Sequence, residues 1–154
     1  MKYSTTVIAV KDVNRARRFY EDIFGLELYQ DYGRNIVFTC GLSLQQDFDW
    51  LVDIPKEEIT WEPRNMELCF EEEQFDDFLK KLQSYGDIRF LGNVVEHEWG
   101  QRTVRFFDLD GHLIEVGEDM KMVIKRFLAA GLSMEETSVK MGASVADLEK
   151  LLNG

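Results

Sequence analysis

Cysteine, proline and histidine are scarce in this chain, two of each in 154 residues. Two cysteines, Cys40 and Cys69, cannot build a disulfide framework or a four-thiolate zinc site. Both sit in apolar runs. That placement predicts two buried, reduced thiols, as in a cytoplasmic protein. With two prolines and 11 glycines against 45% apolar and 12% aromatic residues, disordered and collagen-like classes are excluded. Long apolar runs are missing as well. The longest charge-free stretch, Asn35–Gln46, has 12 residues, whereas a bilayer span needs about 20 apolar ones. Met1–Thr6 runs straight into a strand-like sequence without the pattern of a signal peptide, so no membrane partner is expected.

Basic residues are few, 18 against 29 acidic, for a net charge of −11. The imbalance lies in residues 1–118, because residues 119–154 hold five basic and five acidic side chains. An acidic body repels phosphate backbones, so nucleic acid is not an expected partner. The same charge keeps a protein soluble and attracts a cationic ligand.

What is present is a pattern that occurs twice. Tyr3–Val10 is rich in β-branched residues and ends at Lys11-Asp12, where Asp12 is a good helix N-cap. Val13–Phe24 follows with Val13, Ala16, Phe19, Tyr20 and Ile23 on one face, and Gly25 stops it. Strand candidates come next at Leu26–Asp31, Asn35–Cys40 and Leu42–Phe48, separated by turn residues Gly33 and Gly41. The second unit starts with Met66–Glu71, then a helix from about Glu73 to Tyr85 that stops at Gly86. Strands Ile88–Glu96, Thr103–Phe107 and Leu113–Val116 complete it, with turns at Gly100 and at Asp108-Leu109-Asp110-Gly111. Each unit reads β-α-β-β-β, an internal repeat of about 60 residues. The units span about 3–48 and 65–118; a linker, 49–64, holds both prolines, Pro55 and Pro63.

Beyond Glu118 the pattern is helical. Met120–Ala130 ends at Gly131, Ser133-Met134-Glu135-Glu136 opens a second helix with a capping box, and Ser144 caps a third, Val145–Leu152. Residues 119–154 thus read as an extension to a domain covering 1–118. Its Val123, Phe127, Leu132, Leu148 and Leu151 are expected to bury against the domain or a partner subunit. The helix after Ser144 is small and acidic, which disfavours a DNA-reading helix-turn-helix.

The doubled unit, with Val10-Lys11-Asp12, Arg18-Phe19-Tyr20, Phe24-Gly25-Leu26 and the later Asp108–Val116 segment, resembles the vicinal oxygen chelate superfamily. That superfamily groups glyoxalase I with fosfomycin-resistance, bleomycin-resistance and extradiol-dioxygenase proteins. The resemblance covers about residues 3–118. It implies an α+β fold in which two βαβββ units form a curved mixed sheet with a ligand cavity, and it implies a homodimer. Metal-dependent members place four ligands, usually His, Glu or Gln, on the cavity strands. The matching positions here are Thr5, Ser43 (or Gln45 with a small slip), Glu67 and Glu115.

Strand alternation places Thr5, Ser43, Gln45, Glu67 and Glu115 each opposite its strand's apolar face. Yet hydroxyls are poor divalent-metal ligands and no imidazole stands at either expected position. No metal cofactor is therefore expected. Arg105, on the strand before the Glu115 strand, is placed to pair with Glu67 and Glu115 as a polar cluster, either a structural ion pair or a ligand site.

Of the two histidines, His112 follows a turn and reads as solvent-facing or turn-bonded. His97, with Glu96 and Trp99, either rims the cavity or packs a hairpin. Phe48, Trp50 and Trp61 either stack on a flat ligand or cover a sheet edge.

Two function classes follow. The first is a small-molecule binding protein of the bleomycin-resistance kind, without an intact metal site and suited to a cationic ligand. The second is a metal-dependent lyase or dioxygenase of the glyoxalase type, using a divalent metal on Glu67 and Glu115.

Overall fold

The computed structural model describes all residues, Met1–Gly154. The chain divides into two compact units, one of residues 1–66 with 107–113, the other of 67–106 with 114–154.

In the first unit, β1 (Thr6–Val10) leads into α1 (Val13–Phe24), and β2 (Leu28–Asp31), β3 (Asn35–Phe38) and β4 (Leu42–Gln46) follow. They form one sheet in the order β1-β4-β3-β2, with β1 parallel to β4 and the other pairs antiparallel. Alternation explains the core. Ile8, Val10, Ile36, Phe38, Leu42 and Leu44 are buried on the strands, and α1 buries Val13, Ala16, Phe19, Tyr20 and Ile23. Asp12 caps α1 by accepting from the amide of Arg15 at 2.9 Å. Gly25 ends the helix in the left-handed region at φ 63°, where a side chain would be strained.

The linker is more ordered than its composition suggests. The fourth strand stops at Gln46, and Phe48–Val52 forms a short helix, α2, followed by a 3-10 turn at Lys56–Glu58. Asp47 and Asp53, both at positive φ, bracket α2.

The second unit repeats the order: β5 (Leu68–Glu72), α3 (Phe75–Ser84), β6 (Arg89–Phe90), β7 (Val95–Glu96), β8 (Arg102–Phe107) and β9 (Leu113–Glu118). Its sheet runs β5-β9-β8-β6, with β5 parallel to β9 and β7 pairing antiparallel with β8. The expected strand over 88–96 is therefore two short ones. Gly92, at φ 73°, turns the chain between them.

Three helices close this unit: α4 (Met120–Ala129), α5 (Met134–Met141) and α6 (Val145–Asn153). The Ser133–Glu136 capping box is formed, and Ser144 caps α6. Val123, Ile124, Phe127, Met141 and Leu148 make a core among these helices, with Leu132 and Leu152 packed on it. Leu151, expected inside, is 42% exposed. The helical period turns Leu148 and Leu152, four apart, inward and leaves Leu151 outside.

Candidate functional site

Three side chains expected to meet do so in the second unit. Arg105, on β8, donates through Nε to Oε2 of Glu67 at 3.2 Å. Its Nη2 bonds Oε2 of Glu115 on β9. Glu67 lies one residue before β5, so this cluster spans three neighbouring strands or strand ends. A guanidinium can serve two carboxylates because its donors form a rigid planar fork.

The sequence reading missed one member. Cys69 lies two residues beyond Glu67 and directly across from Glu115 in the parallel register. Its Sγ donates to Oε1 of Glu67 at 3.5 Å. Both cysteines are exposed, contrary to the expectation of buried thiols. Alternation is the reason for Cys69: an apolar run still turns every second residue to the opposite face, and Cys69 shares Glu67's. Burial pushes the Cys69 thiol up to about 11, with the Glu67 and Glu115 carboxylates adding to it and Arg105 opposing.

Beside the cluster, Arg105 Nη1 donates to Oγ1 of Thr103 at 3.5 Å. That hydroxyl is 3.1 Å from Nε2 of His97. The imidazole lies flat on the Trp99 indole, with ring centroids 4.3 Å apart and planes 1° from parallel. Trp99 remains 39% exposed, and its Nε1 donates to Oε1 of Gln101 at 3.1 Å. A chain of contacts thus joins two carboxylates, a guanidinium, a hydroxyl, an imidazole and an indole.

Thr5, Ser43 and Gln45 belong to the first unit, and their polar atoms are already engaged. Thr5 precedes β1 instead of lying in it, and its hydroxyl donates to the carbonyl of Gly41 at 2.8 Å. Ser43 and Gln45 are 1% and 2% exposed. Asn35, which no sequence signal singled out, donates from Nδ2 to both, at 2.9 and 3.0 Å. Its position across from Gln45 in the antiparallel β3–β4 register places it there.

His112 is buried and turn-bonded, so the solvent-facing alternative is wrong. Phe48 and Trp61 line a pocket of about 150 Å³ with Val10, Lys11 and Lys56. The Lys11 ammonium covers the Trp61 ring at 4.7 Å, and the Arg34 guanidinium covers Trp50 at 5.3 Å. The two tryptophans are thus met by cations of the chain itself.

The donor set can be tested against a divalent metal. Ligand atoms of Glu67, Cys69 and Glu115 lie within 4.8 Å of one another. The set nevertheless lacks a neutral imidazole, and Arg105 already pairs with both carboxylates. As arranged, these residues do not fit an inner-shell divalent ion.

A profile of the glyoxalase-like domain matches residues 3–121. The metallothiol transferase FosB of Staphylococcus saprophyticus is 24% identical over 111 residues, 70% of each chain. A crystal structure of a protein of unknown function from Agrobacterium tumefaciens is 31% identical, with TM-score 0.66, over 77% of this chain and 94% of that one. A lactoylglutathione lyase from the same species shares the fold at 22% identity and TM-score 0.57, over 77% and 94% of the two chains.

Proposed function

The chain belongs to the glyoxalase-like domain family, and on that premise we propose that it binds a flat, cationic organic molecule without an inner-shell divalent ion. The observation that carries this reading is Arg105, whose guanidinium stands between Glu67 and Glu115 where a metal would need both carboxylates. Two carboxylates against one guanidinium leave a negative excess. A ligand's ammonium or amidinium can answer it while its ring lies on the exposed part of Trp99.

The competing reading is metal-dependent chemistry of the kind that the name metallothiol transferase denotes for the relatives. The clustering of Glu67, Cys69 and Glu115 favours it. Calorimetric titration of metal-stripped protein with Mn²⁺, Zn²⁺ and benzamidine separates the two. The wild type is expected to bind benzamidine and neither ion with high affinity. Arg105→Met, which uncovers both carboxylates, is expected to gain Zn²⁺ binding. Stoichiometric, tight Mn²⁺ or Zn²⁺ binding by the wild type would give the site to the metal reading.

A homodimer is the assembly we propose on family grounds, and light scattering should return twice the chain mass of 18.0 kDa.

A further inference from the structure

The turn that carries His97 and Trp99 is short, and its own backbone supplies two bonds, His97 N to Gln101 O at 2.9 Å and Gly100 N to His97 O at 2.8 Å. Gln101 adds a bond from Nε2 to the Glu118 carbonyl at 3.0 Å, and α4 supports the turn as well. Gly100, at φ 88°, packs so closely on Phe127 that a Cβ there would stand 2.1 Å from the ring's Cζ. Arg126 Nη2 donates to the Gly100 carbonyl and to Oε2 of Glu118 at 3.1 Å, while Nη1 is 3.7 Å from Oε1 of Glu96. One guanidinium therefore ties the turn to the strand that enters it and to the end of β9. Glu118 is itself 5% exposed and also held by Arg102. Phe127 in turn belongs to the core shared by α4, α5 and α6.

On the other side of the turn lies the candidate site, through the His97–Trp99 stack and the Thr103 link to Arg105. The family match ends at residue 121, so Arg126 and Phe127 come from outside it. We infer that the helical extension is part of the binding site: Arg126 and Phe127 are positioning residues that hold Trp99 at the end of the line of contacts running through His97 and Thr103 to Arg105. The inference rests on the reading of this face as a small-molecule site. Its physical content is preorganisation, since an indole fixed before binding need not be ordered by the ligand.

The test uses the full chain with Trp50→Phe and Trp61→Phe, which leaves Trp99 as the single tryptophan of three. Arg126→Met, Gly100→Ala and Arg126→Lys are compared in that background by acrylamide quenching of Trp99 and by benzamidine affinity. Far-UV circular dichroism confirms the fold. Arg126→Met and Gly100→Ala should raise the quenching of Trp99 and weaken benzamidine about three- to tenfold, the span that ordering one side chain costs. Arg126→Lys, which keeps the charge toward Glu118 without the fork, should fall between; it decides the matter if Arg126→Met does not fold. Unchanged Trp99 quenching in the folded variants overturns the positioning role, whatever benzamidine does. A parent protein that fails to bind benzamidine overturns the site reading instead, and the extension's part in binding falls with it.

Discussion

The hydroxyl of Tyr20 donates to Oδ2 of Asp108 at 2.6 Å, joining α1 to a turn 88 positions further along the chain. Asp108 is a hub. It also accepts from Nδ1 of His112 at 2.7 Å and from the amides of Asp110 and His112 at 2.9 and 2.8 Å. Burial by itself would raise the Asp108 pKa, but the bonds and charge of His112 and the Tyr20 hydroxyl outweigh it and hold the carboxyl below its usual range. The same burial and the same carboxylate push the Tyr20 phenol well above its ordinary value.

Tyr20→Phe should therefore destabilise the protein by about 1–3 kcal/mol at neutral pH, the usual cost of leaving a buried acceptor short of a partner. Because the folded pKa of Asp108 lies below its unfolded value of about 3.9, its contribution is complete above that value and is lost as pH falls through the folded one. The gap between wild type and variant should shrink over that acid range. Asp110, whose pKa burial raises, acts in the opposite sense, but it is common to both proteins and cancels in the difference. Urea unfolding at neutral and acidic pH measures the gap; an equal gap at both would refute the charged-acceptor account.

Cys69 should be a slow nucleophile despite its exposure. With its pKa pushed up to about 11, the thiolate is a small fraction at neutral pH. In a Cys40→Ser background, alkylation by iodoacetamide should speed up about tenfold per pH unit between pH 7 and 10, following the thiolate population. A rate that levels off near pH 8 would show a thiol of ordinary acidity and would remove the electrostatic influence assigned to Glu67 and Glu115.

The extension offers a paired test three residues apart. Leu148 is fully buried and Leu151 is 42% exposed. Leu148→Ala should cost about 2–5 kcal/mol through lost burial and the cavity left behind. Leu151→Ala should stay within about 0.5 kcal/mol of the wild type. Thermal or urea unfolding measures both, and comparable losses would mean that Leu151 is covered in solution by something besides this chain.

Local signals determined a great deal about this protein. Helix periodicity, the Asp12, Ser133 and Ser144 caps and the glycine stops located α1, α4, α5 and α6 closely, because each is decided by residues within a turn or two. Alternation put Glu67 and Glu115 opposite their strands' apolar faces, since the period of a strand is a property of the backbone, and the place of Arg105 on the strand before the Glu115 strand brought it within reach. The tertiary structure decided what lies across from what. Cys69 entered the cluster through its register with Glu115, and Asn35 reached Ser43 and Gln45 through the β3–β4 pairing. His112 was drawn inside by Asp108. No pattern along the chain showed that Arg126 would brace the turn bearing Trp99. Strand register and helix docking join residues distant in sequence, and the chain closes those long loops only when the whole core forms.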